Sequence, residues 1–208
     1  MRPRSWTRAF LLLPLFAFTG AAAPSRPDPV APPGSHTWDF TEVFSNADGT
    51  IQFIELRECC GGPSETGLPG HILSSNAHSF AIPGVALTPP TSNKHYLLGT
   101  AAYAALPGAP APDAIIPAGS LPFFFSPGGD TLSYVPWDTW TLPSVPTDGV
   151  NSLLRNGTTG PNSPTNYAGV TGSVNAAPAV PAMSVRSVVV LAVLSVLALS
   201  AVLFRRTT

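Results

Sequence analysis

An all-β sandwich of short antiparallel strands is the fold class this sequence predicts, and three observations predict it. Helical periodicity is almost absent from the middle of the chain, where short apolar runs instead alternate with polar residues. The 208 residues include 25 prolines, which exclude long central strands because each removes a ladder donor. The apolar runs are separated by Pro, Gly, Asn and Asp at the spacing of an antiparallel β domain with long ordered loops.

The ends frame that domain. In residues 1–23, Arg2, Arg4 and Arg8 precede a short apolar stretch, and Gly20, Ala21, Ala22 and Ala23 supply small residues for a signal peptidase. This is the layout of a secretory signal peptide, cleaved near Ala23. Residues 24–35 form a proline-rich spacer, 36–174 the sandwich domain, and 175–186 a second Pro/Ala-rich linker. Residues 187–204 are 18 positions without a charge, mostly Val, Leu and Ala. At about 1.5 Å per residue a helix there reaches roughly 27 Å, enough to cross a hydrocarbon core. Arg205 and Arg206, in the tail 205–208, hold that end in the cytoplasm. The expected chain is exported and membrane-anchored, with its domain outside the cytoplasm.

Within the domain the expected strands lie in HTWDFTEVF, TIQFIELRE, HSFAIPG, KHYLLGT, LPFFFS, DTLSYVPW and DTWTL, with one helical turn over 101–106. Strict alternation puts Trp38, Phe40, Glu42 and Phe44 on one face of the first strand. The second strand, apolar on both faces at its centre, reads as an interior strand.

FSNADGTIQFIE, starting at Phe44, raises the question of a metal. Asn46, Asp48, Gly49, Ile51 and Glu55 fall at the third, fifth, sixth, eighth and twelfth positions of an EF-hand loop. Phe44 offers no oxygen at the first position, and the flanks alternate as strands do, so the stretch favours a hairpin turning at Asp48-Gly49. A looser calcium site using Asp48 with Glu55 or Glu42 is the alternative, and no other cofactor is implied.

The domain carries Asp39, Glu42, Asp48, Glu55, Glu58, Glu65, Asp113, Asp130, Asp138 and Asp148 against Arg57, Lys94 and Arg155, a net charge of about −7 that repels nucleic acid. Cys59 and Cys60 are adjacent, and neighbouring Cα atoms sit closer than an ordinary disulfide requires. A vicinal bridge, an intermolecular bridge and a reduced pair all stay open, with a structural or redox-labile role. His71, His78 and His95 fall in no catalytic motif, so a hydrolase would need groups that meet only in the fold. Trp137, Trp140 and Tyr134 are candidate ligand-binding aromatics, suited to stacking on a glycan or covering a protein partner. Trp137 and Trp140 are three apart, so strand alternation sends them to opposite faces.

The domain and the C-terminal tail each resemble a known family. EVFSNADGTIQFIELRE, GGDTLSYVPWDTWTL and GVNSLLRNG follow in the order of a lamin-tail-type domain, an immunoglobulin-like β-sandwich. Val180, Pro181, Ala182 and Met183, then the apolar helix and Arg205-Arg206, look like a PEP-CTERM/IPTL-CTERM sorting tail. That resemblance implies a bacterial envelope or extracellular-polymer destination and a sorting peptidase as partner. The expected function is a non-enzymatic surface protein with a structural or adhesive role, with a glycan- or calcium-binding module as the alternative.

Overall fold

A computed structural model describes residues 34–120 and 123–177. The expected signal peptide, most of the expected first spacer, the sorting-like motif and the expected membrane-spanning segment fall outside the described residues. Among the described residues no helix is long and apolar enough to cross a membrane.

The domain is almost entirely β, arranged in two sheets. The larger has the order β10-β9-β1-β2-β5-β6, built from β1 (Trp38–Ser45), β2 (Gln52–Glu58), β5 (His95–Gly99), β6 (Ala114–Ile115), β9 (Asn151–Leu154) and β10 (Thr159–Pro161). The smaller has the order β4-β3-β7-β8, from β3 (Ile72–Ser74), β4 (Ser79–Ala81), β7 (Asp130–Tyr134) and β8 (Asp138–Leu142). Strand pairs are antiparallel except β5 with β6. The short helix α1 (Ala101–Ala104) lies inside the expected span, and the Thr100 hydroxyl caps it by accepting from Tyr103 N.

β1 and β2 form the expected hairpin. Gly49 takes φ +72, in the left-handed region that a glycine enters without cost. Asp48 Oδ1 accepts from the backbone N (3.0 Å) and hydroxyl (2.6 Å) of Thr50, and Asn46 Oδ1 accepts from Ile51 N. β2 is an interior strand, flanked by β1 and β5.

The strict alternation expected of β1 fails at one point. A bulge between Phe40 and Glu42 shifts the register, so Trp38, Phe40 and Val43 enter the core while Glu42 and Phe44 turn to the other face. A second difference is LPFFFS, which forms no strand over Phe123, Phe124 and Phe125. The side-chain amide of Gln52 serves that segment as a neighbouring strand would: Oε1 accepts from Phe124 N (2.7 Å) and Nε2 donates to Phe125 O (2.8 Å).

The main core fills the space between the sheets with Trp38, Phe40, Ile54, Leu56, Leu98, Leu73, Leu132, Trp140 and Leu142 among others. A second cluster, Phe44, Phe53, Leu97, Tyr103 and Val174, lies on the opposite face of the larger sheet. There α1 and the segment 162–174 cover the strands. The outer face of the smaller sheet has no such cover among the described residues.

Candidate binding face

The acidic side chains come first, because they decide what kind of site the domain can offer. A chain this rich in loops has many backbone N–H groups outside any ladder, and each must find an acceptor when buried. Here carboxylates supply them. Glu58 is fully buried and accepts from the backbone N of Cys60 (3.0 Å), Gly61 (2.9 Å), Gly62 (2.8 Å) and Asn93 (2.8 Å). Burial pushes its pKa up, but these donors outweigh it and hold the group below its ordinary range. Asp148 caps Val150 and Asn151 and is likewise lowered, chiefly by those backbone bonds. Asp130 ties Asn76 to Ser126, Asp113 ties Leu97 to Tyr167, Asp138 holds Phe40 and Glu65 holds His36. Asp39 differs: burial first, then the Asp138 carboxylate, raise its pKa.

Glu42 and Glu55 stand directly opposite one another across β1 and β2. Both are 3% exposed, under the covering segment. Glu42 accepts from Ser152 Oγ (2.6 Å), Ser163 N (2.9 Å) and Ser163 Oγ (3.2 Å). Glu55 takes Thr41 Oγ1 (2.7 Å) and Thr165 N (2.6 Å), and its Oε1 lies 2.9 Å from His95 Nδ1. Burial, followed by the neighbouring Glu55 charge, raises the Glu42 pKa against its hydrogen bonds. Tyr103 is buried beside this pair, and its hydroxyl has no hydrogen-bond partner among the described residues. Burial and then the two carboxylates push its pKa up.

For the calcium question the placement is specific. Asp48 is exposed and holds its own turn, with its pKa lowered by the Thr50 hydroxyl and N–H. All four carboxylate oxygens of Glu42 and Glu55 already accept protein donors. Among the described residues no group of three or more His, Cys, Asp or Glu side chains is disposed to hold a metal ion.

The candidate aromatics separate. Tyr134 is buried; its hydroxyl donates to Ser35 O at 2.7 Å, and burial pushes its pKa up to about 12. Trp140 is 6% exposed, packed against Phe40 with the Arg155 guanidinium 5.4 Å over its ring. Trp137, in the turn between β7 and β8, is 44% exposed, with the His36 ring 5.8 Å away. Trp140 faces the core from β8, whereas Trp137 stands exposed in the turn that precedes it.

Trp137 borders a surface that its own spacing does not announce. The outward residues of the smaller sheet are Ile72, Ser74, Ser79, Ala81, Thr131, Ser133, Thr139 and Thr141. None carries a charge. The register aligns Ser79 with Ser74, Ser74 with Ser133, and Ser133 with Thr139, making one hydroxyl row across all four strands. At about 4.8 Å per strand the row spans roughly 14 Å. Exposed Val135 and Ile72 lie on the Trp137 side of it. The signal was present in DTLSYV and DTWTL, whose outward positions are Ser and Thr where solvated strands usually place charges.

The histidines are dispersed. His71 Nε2 lies 2.8 Å from Ser35 Oγ, and its ring meets Tyr134 edge-on. Ser35 is buried, and no carboxylate contacts the other nitrogen of His71 among the described residues. His95 pairs with Glu55, and His78 packs near Phe124. The two cysteines form a vicinal disulfide and are both exposed. No protein-family model, curated protein or solved structure matches the chain.

Proposed function

We propose that this chain is an exported, non-catalytic surface protein whose domain, an immunoglobulin-like sandwich of lamin-tail type, adheres to neutral polysaccharide in the envelope or extracellular polymer. The observation that carries the reading is the uncovered hydroxyl row with Trp137 exposed at the border of the same face. Hydroxyls on a flat face can exchange hydrogen bonds with sugar hydroxyls, while an exposed indole gives an apolar platform for a sugar ring. An acidic domain repels polyanions, and a face without charge imposes no desolvation penalty for ions. The signal-peptide layout of residues 1–23, the uncharged apolar run 187–204 and the sorting-like tail support a position outside the cytoplasm, tethered or processed at its C-terminus.

Retention of the full chain on insoluble neutral glycans, such as cellulose and chitin, tests the adhesive part. Retention that drops at least tenfold in Trp137→Ala, with an unchanged melt, is the expected outcome; equal retention of the variant and its parent counts against it. Protease accessibility of the domain in intact cells tests the export.

A further inference from the structure

The cysteine pair is the motif that adhesion leaves unused. A disulfide stabilises a fold largely by shortening a loop in the unfolded chain, an effect that grows with the number of residues enclosed. Cys59 and Cys60 are neighbours, with Cα atoms 3.8 Å apart, so their bridge encloses no intervening residue. Contacts that involve neither sulfur hold the loop. Glu58 gathers the N–H groups of Cys60, Gly61 and Gly62. Cys59 N donates to Thr37 O, Ser92 Oγ to Gly61 O, and Thr91 Oγ1 to Gly62 O. Gly61 supplies the left-handed conformation, φ +78, that lets the chain curl round the carboxylate. The bridge is therefore exposed and sits in a loop that hydrogen bonds independent of the sulfurs also hold.

We propose that Cys59–Cys60 is a reversible thiol–disulfide exchange site whose substrates are dithiols and thiols, and not a staple of the fold. A thiolate of the reductant attacks one exposed sulfur, the Sγ–Sγ bond breaks, and the released cysteine sulfur takes a proton. The second thiol of the reductant then attacks the mixed disulfide and releases the other cysteine. The reductant leaves as a disulfide having lost two electrons; Cys59 and Cys60 together gain those two electrons and two protons. The Glu58 cradle persists in both states because no sulfur belongs to it.

The experiment treats the full chain with dithiothreitol under native conditions, labels it with a maleimide, and compares melts of the oxidised and reduced forms. Both cysteines are expected to label, and the reduced form to melt within about 2 °C of the oxidised one. Oxidised glutathione should then restore the bridge, and the Cys59→Ser/Cys60→Ser variant should melt with the reduced form and take no label. Labelling that needs denaturant, a reduced form that melts more than about 10 °C lower, or a bridge that glutathione does not restore would each overturn the proposal.

Discussion

The two sheets of this domain treat their outer faces in opposite ways. The larger sheet turns Phe44, Phe53 and Leu97 outward and hides them beneath Tyr103, Val174 and the segment 162–174. That cover is fastened through two carboxylates, Glu42 to Ser163 and Glu55 to Thr165. The smaller sheet turns Ser74, Ser79, Ser133 and Thr139 outward and leaves them open. The contrast teaches where the acidity of the chain goes. On the covered side, and in the loops, acids accept backbone N–H groups that no ladder reaches. The open side has no loop to fasten and no acid, which keeps it neutral and available.

Substitutions on the two sides should therefore separate stability from binding. The largest stability effect is expected at Glu58, on the covered sheet. Glu58→Ala removes a carboxylate that accepts from four part-buried backbone N–H groups, and a hydrogen bond to a charged group contributes about 1.5–3 kcal/mol before water replaces it. A loss of at least about 3 kcal/mol in urea unfolding is expected; a loss under about 1 kcal/mol would show that the loop is held by something else. Tyr103 gives a smaller effect of the opposite sign. Its hydroxyl is buried without a partner, so Tyr103→Phe should stabilise the domain by about 1 kcal/mol. Destabilisation in the same melt would mean that the hydroxyl has a partner, and a carboxylate of the neighbouring pair would be the first suspect.

A smaller effect, one of pH, concerns Glu42. Its folded pKa is raised above the ordinary 4.5, so the folded state holds that proton more tightly than the unfolded state. The resulting stabilisation is present in full below the unfolded value and is lost as pH rises through the folded one. Glu42→Gln, which keeps an acceptor and adds a donor for Ser163, should gain on the parent as pH rises from below 4.5 towards neutrality. Parallel stability curves for the two proteins would argue against a raised Glu42. Asp148 and Glu58 have the reverse sign: their lowered values give stability that is lost as pH falls through them.

How much of this was legible in the sequence depended on range. The hairpin at Asp48-Gly49 was readable because a turn is decided by adjacent residues. Trp137 and Trp140 do separate, but through the β7–β8 turn that holds Trp137 and not through the pleat alternation that predicts the split. The bulge in β1 was not, since nothing in WDFTEVFS marks where one residue slips out of register. The phenylalanine run misread as a strand is satisfied by Gln52, more than 70 positions earlier. The acids were visible as charge but not as anchors. Glu42 meets Ser163 across 121 positions and Glu55 meets Thr165 across 110, distances over which composition carries no geometry. The loop acids that offered a calcium alternative in the sequence accept backbone and hydroxyl donors in the folded chain.

The most direct test of the account places charge on the open face. Ser133→Glu/Thr139→Glu interrupts the hydroxyl row at neighbouring positions while touching no buried group. The account predicts an unfolding free energy no more than about 1 kcal/mol below the parent, the cost of two like charges placed opposite each other across neighbouring strands. With it should come a loss of at least tenfold in retention on the neutral glycan that holds the parent chain. Undiminished retention by a variant that folds normally would contradict the claim that this face is the adhesive one.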